Sequence, residues 1–286
     1  MSEYRSIDIR TWSKVGEGGN GSVYANQSEP DVILKVNRPG LCTEEFVRHE
    51  FEVSKAVEGL GIPTPRMHEM VCVGDAYGTL SERVRQKRSL ARICADDPGR
   101  TEEMARLLCE KFKILSETPC NTDFFPNRKV QLMRAMDKVQ FIGEKNRILL
   151  RAFAETIPEV TTCSHGDLNM GNLILSDDRF YWIDLERFGY GSPMFDIGHL
   201  YLICSYYAPL KQVQGIFHMD EAQLRRFWDA FAKAYTGQEE HAAFDTQARC
   251  YAAMDLVVRY EFIPPSMPEK FFFSMMLRRL IKDCIV

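Results

Sequence analysis

Ser164-His165-Gly166-Asp167-Leu168-Asn169-Met170-Gly171-Asn172-Leu173-Ile174-Leu175, followed closely by Tyr181-Trp182-Ile183-Asp184-Leu185, is the stretch around which the chain is arranged. Polar residues interrupt two apolar runs at short intervals. Asp167 and Asn172 stand five apart in a turn-rich segment, and Asp184 follows twelve residues later, closing a Phe-Tyr-Trp-Ile run that reads as a strand. Asp, Asn and Gly are ordinary turn residues, so His-Gly-Asp alone describes no more than a hairpin corner. With Asn172 and Asp184 added, two carboxylates and an amide are expected to converge. Phosphoryl transfer uses such a set: one carboxylate accepts a hydroxyl proton, while an amide and a second carboxylate hold Mg2+ against nucleotide phosphates.

The whole string, His-Gly-Asp-Leu-x-x-x-Asn, then apolar residues, then Ile-Asp, resembles the catalytic and metal-binding segments of the aminoglycoside phosphotransferase family, within the wider protein-kinase-like fold. Gly166 stands where protein kinases usually carry Arg, and Asp184 is followed by Leu185-Glu186-Arg187, not Phe-Gly. Both departures favour the small-molecule branch. The resemblance implies that Asp167 orients the acceptor hydroxyl and takes its proton, and that Asn172 and Asp184 bind Mg2+. His165, among apolar neighbours, reads as a buried imidazole bracing the loop. For Glu186 a surface ion pair with Arg187 is the plainest expectation. Further on, Gly191-Ser192-Pro193-Met194-Phe195-Asp196-Ile197-Gly198 is similar to the family's Gly-Asp-Pro-x-x-Asp-Leu-Ala segment, with Ser for its first Asp. That likeness gives Asp196 a bracing role on the backbone near the catalytic loop.

Upstream, short apolar runs from Ile7 to about Glu82 are separated by Gly, Asn, Asp and Pro, with one helical stretch among them: a small sheet carrying one helix. Gly16-Glu17-Gly18-Gly19-Asn20-Gly21 between two such runs forms the tip of a hairpin, where glycines let backbone N–H groups approach an anion. Gly16-x-Gly18-x-x-Gly21-x-Val23 resembles the kinase glycine-rich loop. Lys35, central in the apolar Val32–Val36 run, requires a negative partner there and looks like the kinase lysine that meets the α- and β-phosphates. Its partner is expected on the next helix, which opens with a capping-type start at Thr43. Glu50 lies between Phe46 and Val53 on the apolar side, and Glu52 is the alternative. Met67–Val73 and Tyr77–Val84 read as strands, and the residues near Ser81–Val84, Glu82 and Val84 among them, as the hinge whose backbone holds a nucleotide base.

After this point the pattern is helical. Met104, Leu107, Leu108, Phe112 and Leu115 recur at helix period within Leu90–Val160, and Leu224, Phe227, Phe231 and Tyr235 do so later. Asp255, Arg259 and Glu261 near an aromatic-rich segment are explained as well by a solvated helix face as by an acceptor site. The apolar Phe271–Leu280 run with its basic flank reads as core ahead of a membrane-surface helix.

A chain of 286 residues with 45% hydrophobic content can bury a large core, and a formal charge of −4 argues against a nucleic-acid partner. Nine scattered cysteines, without metal-ligand spacing, read as small buried residues. No signal peptide or run of spanning length is visible, so no membrane is expected and the reducing cytoplasm is the default. The expected fold is α+β and bilobal, protein-kinase-like: an antiparallel-sheet N-lobe with one main helix over 1–82, and a larger, mainly helical C-lobe over 83–286. The expected reaction is Mg2+-dependent transfer of the γ-phosphoryl of ATP, or GTP, to a hydroxyl of a small aminoglycoside-, choline-, amino-acid- or sugar-like acceptor. The rival readings are a protein Ser/Thr kinase, against which Gly166 and a missing Ala-Pro-Glu segment count, and a non-catalytic nucleotide-binding module, against which intact Lys35, Asp167, Asn172 and Asp184 count.

Overall fold

The computed structural model describes residues 4–17, 21–40, 42–177, 179–260 and 268–284. Gly18 and Glu261 lie outside the described residues. In chain order the strands and α-helices are β1 (Arg5–Ser6), β2 (Ser13–Glu17), β3 (Gly21–Ala25), β4 (Val32–Asn37), α1 (Glu44–Gly59), β5 (Met67–Val73), β6 (Ala76–Glu82), β7 (Arg88–Ser89), α2 (Leu90–Asp96), α3 (Thr101–Glu117), α4 (Arg128–Met136), α5 (Glu144–Thr156), β8 (Cys163–Ser164), β9 (Leu173–Ser176), β10 (Arg179–Trp182), β11 (Gly189–Tyr190), α6 (Met194–Tyr201), α7 (Lys211–Phe217), α8 (Glu221–Thr236), α9 (Ala242–Tyr260) and α10 (Pro268–Cys284). A π-helical turn, Leu202–Tyr206, continues α6.

The chain forms two compact units, and they are not separated by a single cut near residue 82. Residues 1–88 and 173–186 make one, and residues 89–172 and 187–286 the other.

The first unit is built on a six-stranded sheet in the order β1-β5-β6-β4-β3-β2, antiparallel except where β1 pairs with β5. Strand alternation divides β4 between two environments. Leu34, fully buried, packs with Trp12, Val71 and Leu80 on one face, so its neighbour Lys35 points to the other. There α1 lies, its Thr43 Oγ1 accepting from Phe46 N at 3.2 Å to cap the first turn. The buried stripe of α1 is Val47, Val53 and Val57, while Phe46 is only half-buried. Truncating Leu34 to Ala would cost about 2–5 kcal/mol, the usual range for a buried leucine. The hairpin β9–β10 joins this unit because Trp182 N donates to Pro63 O at 2.8 Å, in the turn after α1. Strand β6 ends at Glu82, so Val84 lies beyond it.

The second unit is helical. α6 crosses α9, α3 packs on α8 and α10 packs on α9. Met104, Leu108, Phe112 and Leu115 of α3 are buried, as are Leu224, Phe227 and Phe231 of α8. In α10, Met276, Leu277, Leu280 and Ile281 are buried, in keeping with core packing. Among the described residues no helix is long and apolar enough to cross a membrane. Cys94, Cys109, Cys163, Cys204 and Cys250 are buried, whereas Cys42, Cys72 and Cys120 are only partly so, a departure from the uniformly buried set expected.

Candidate active site

In the second unit, the segment after β8 is a loop that ties itself together. Leu168 and Met170 are buried anchors. Asn169 Oδ1 accepts from Gly171 N at 2.8 Å, an Asx turn, and Asn172 N donates to Asn169 O at 3.2 Å. Asp196, in the first turn of α6 and 1% exposed, accepts from His165 N at 2.9 Å through Oδ2 and from Gly166 N at 2.7 Å through Oδ1. One carboxylate thus satisfies two successive buried backbone donors. Gly166 has φ +80°, and a Cβ there would stand 2.1 Å from the carbonyl oxygen of Arg187. The arginine of protein kinases therefore has no room at this position. His165 is fully buried.

These restraints present Asp167. Its Oδ2 accepts from Asn172 Nδ2 at 2.8 Å and from Asn169 Nδ2 at 3.2 Å. Its Oδ1 accepts from Arg259 Nη2 at 2.8 Å and lies 3.2 Å from His199 Nε2. Behind them Asp255, 3% exposed, receives His199 Nδ1 at 2.9 Å and Arg259 Nε at 2.7 Å through one oxygen, Oδ2. Burial alone would push the Asp167 carboxyl up, but His199 and Arg259 outweigh burial and hold it well below the usual carboxylate range. Asp255 is held low by the same opposition between burial and its two cationic neighbours. His199 is raised: burial and Arg259 oppose its proton, and the carboxylates of Asp255 and Asp167 prevail.

His199 and Asn169 carry no expectation from the sequence, and of the two readings open for Asp255 and Arg259 the solvated helix face does not hold, since their side chains are 3% and 18% exposed. The signal was present in α9. Residues Tyr251–Met254 and Leu256–Val258 are apolar on every side of Asp255, and a helix apolar all round is buried, so its charges must be paired. The Asp255-Arg259 spacing, four residues with the acid first, is the pairing geometry of a helix.

Asn172 directs its Nδ2 at Asp167 O and Oδ2, which leaves Oδ1 without a hydrogen-bond donor among the described residues. That oxygen is of the type a hard divalent cation takes.

In the first unit, Lys35 Nζ donates to Glu50 Oε1, and Glu52 is exposed. Glu50 Oε2 is buried without a hydrogen-bond partner among the described residues. Val23 is the cross-strand neighbour of Lys35, and Thr79 flanks it on the other side. Gly16 sits at an irregularity between β2 and β3. Gly21 is required by packing alone, since a Cβ would lie 2.2 Å from Val36 O. Glu82 departs from the expected backbone role: its N–H donates to Arg66 O at 2.8 Å and its side chain accepts from Arg66 N at 3.1 Å. Val84 is half-buried just past the strand. Asp184 is exposed and has φ +57°, a left-handed conformation that is uncommon for a residue other than glycine and that concentrates at functional sites.

The model of the phosphotransferase enzyme family (APH) matches residues 11–244. The chain belongs to that family. Methylthioribose kinases of Geobacillus thermodenitrificans and Geobacillus kaustophilus are each 24% identical over 204 residues, covering 66% of this chain and 50% of theirs. The chain thus spans about half the length of the curated relatives it matches. Among solved structures, a thermostable mutant of aminoglycoside phosphotransferase APH(4)-Ia with ADP and hygromycin B has a TM-score of 0.60 at 13% identity, covering 95% of this chain and 93% of that one. A choline/ethanolamine kinase family protein from Mesorhizobium loti has a TM-score of 0.55 at 15% identity, covering 94% and 92%. The likeness establishes the α+β protein-kinase-like fold for this member of the phosphotransferase family.

Proposed function

We propose that the chain transfers the γ-phosphoryl of ATP, or GTP, to a hydroxyl group of a small molecule. The observation that carries this reading is the Asp167 carboxylate, held ionised and fixed in plane by donors on both oxygens, with the Asn172 amide oriented against it. The family supports it, as do relatives and fold neighbours whose descriptions name small hydroxyl compounds, methylthioribose and hygromycin B, and the nucleotide ADP.

In the proposed reaction the acceptor oxygen bonds to the γ-phosphorus, the bond from that phosphorus to the β–γ bridging oxygen breaks, and the nucleoside diphosphate leaves. Asp167 orients the hydroxyl and takes its proton as the new bond forms, so most of its effect comes from position. Lys35, kept extended by Glu50, offers its ammonium to the α- and β-phosphates. Asn172 through Oδ1 and Asp184 through its exposed carboxylate are the oxygen donors suited to Mg2+. When bound, that ion supplies neutralisation of phosphate charge. Gly16, Gly18, Gly21 and Val23 belong to the nucleotide-binding part, with Glu82 and Val84 near the base. Gly166 has no room for a side chain, which favours a small acceptor over a protein one.

The test is incubation of the purified chain with MgATP and a metabolite extract, in parallel with a generic protein substrate. A mass gain of one phosphate on small hydroxyl compounds is expected. Phosphate only on protein supports the protein-kinase reading, and nucleotide binding without turnover supports a non-catalytic module.

A further inference from the structure

We propose that His199 is a positioning residue for Asp167: by bridging Asp167 Oδ1 to Asp255 Oδ2, and with Arg259 bound to the same two oxygens, it sets the plane of the catalytic carboxylate. This deepens the phosphotransferase reading and rests on it.

The geometry closes a four-membered circuit. Asp167 Oδ1 meets His199 Nε2 at 3.2 Å and Arg259 Nη2 at 2.8 Å, and Asp255 Oδ2 meets His199 Nδ1 at 2.9 Å and Arg259 Nε at 2.7 Å. The two cations thus stand side by side between the two acids. Arg259 and His199 hold Oδ1 while Asn172 and Asn169 hold Oδ2, and the Asp167 side chain keeps 27% of its surface exposed for an acceptor. Rotation about the Cβ–Cγ bond would break contacts on both edges together. The acceptor hydroxyl therefore meets a carboxylate whose orientation is set before it arrives.

Charge balance identifies the form of His199 that does this. The charged groups facing it are Asp167 from the loop and Asp255 and Arg259 from α9. Arg128 of α4, fully buried, acts electrostatically on Asp196 and Asp255, and the Tyr207 hydroxyl is buried near Asp255 and Arg259. Within the circuit itself, two carboxylates against one guanidinium leave one negative charge unless His199 carries a proton on each nitrogen. Neutral His199 would also turn a lone pair toward a carboxylate oxygen, because both ring nitrogens face acids. The imidazolium removes both penalties.

The test has a spectroscopic arm and a kinetic arm. In 15N-histidine NMR of the full chain, the resonances missing from H199Q are assigned to His199. Both its nitrogens are expected to be protonated at pH 7, and its titration to move to lower pH in Asp255→Asn. Kinetically, ADP formation is followed with MgATP and a fixed pool of amino alcohols and sugars. His199→Gln is expected to lower kcat by about 100-fold, the scale for misplacing a catalytic group, with the nucleotide KM unchanged within about twofold. The alkaline limb of the kcat–pH profile should disappear in that variant. Arg259→Lys should retain at least about tenfold more kcat than Arg259→Met, by keeping the charge on Asp167. A neutral His199 at pH 7, a titration indifferent to Asp255→Asn, or a kcat unchanged in His199→Gln overturns the assignment. Should His199→Gln fail to fold, the wild-type resonances, assigned through Asp255→Asn and Arg259→Met, decide the matter. A protonated His199 in a chain that transfers no phosphoryl group would instead remove the reading on which the role rests, and the positioning role with it.

Discussion

Arg259 Nη2 donates to Asp167 Oδ1 at 2.8 Å, joining the last turn of α9 to the carboxylate of the loop after β8 across 92 residues of sequence. The same guanidinium donates through Nε to Asp255, one helical turn before it. One arginine thus aligns a half-buried acid with a fully buried one, and the stability of this arrangement depends on every member keeping its charge.

Stability should therefore vary with pH in a direction the residues determine. His199 and His241 each lie between two carboxylates, and each has a folded-state pKa raised above the ordinary 6.5 because those acids outweigh burial. Their contribution is complete below 6.5 and is lost as pH rises through the higher folded values. Asp255 has a depressed folded pKa, so its contribution is present above the ordinary 3.8 and is lost as pH falls toward the folded value. Urea unfolding should show greatest stability between those two ordinary values and a decline at alkaline pH. His241→Gln should leave part of that decline, which belongs to His199. A midpoint constant from pH 6 to 9 contradicts this.

Asp196→Ala removes the acceptor from both His165 N and Gly166 N. Two buried donors lose their partner, at about 1–3 kcal/mol each. A loss of about 2–6 kcal/mol is expected by denaturant titration. Asp196→Asn, which keeps one acceptor oxygen, should lose less. Equal losses would mean that the two bonds do not act separately.

Gly166→Ala combines a left-handed φ with a Cβ that would meet the Arg187 carbonyl oxygen. The conformational cost is about 1–2 kcal/mol, and overpacking adds about 1–3 kcal/mol. Thermal unfolding should show a clear fall in Tm, and turnover should fall further than stability alone accounts for. Wild-type Tm and rate in this variant would show that the loop tolerates displacement.

Lys35→Met should weaken nucleotide binding by about 10–100-fold, equivalent to the roughly 1.5–3 kcal/mol of a hydrogen bond to a charged group. It also leaves the partly buried Glu50 without its cation, so Lys35→Met with Glu50→Gln should restore stability without restoring affinity. Calorimetric titration with MgATP separates the two effects. Unchanged affinity in Lys35→Met would remove Lys35 from the phosphate-binding role.

Much of this was legible in the chain, because local rules decide it. A lysine inside an apolar strand demands an acid, and α1 places Glu50 between Val47 and Val53 where Lys35 can reach it. Asp167 and Asn172 interact within one loop, over five residues. What was not legible depends on distant packing. Glu82 reads as a free hinge residue until β6 is paired and Arg66 takes its N–H. His199, Asp255 and Arg259 are separated from Asp167 by 32 to 92 residues, and only the crossing of α6 and α9 turns them into its neighbours. The return of residues 173–186 to the first unit is also a long-range event, fixed by Trp182 on Pro63.

The most direct measurement is transfer of label from Mg[γ-32P]ATP to a pool of small hydroxyl compounds by the wild-type chain and by Asp167→Asn. The account predicts labelled small molecules with the wild type and a fall of about 100-fold or more in the variant, the scale of a lost general base. Full turnover in Asp167→Asn, or label that never leaves the nucleotide with the wild type, would contradict it.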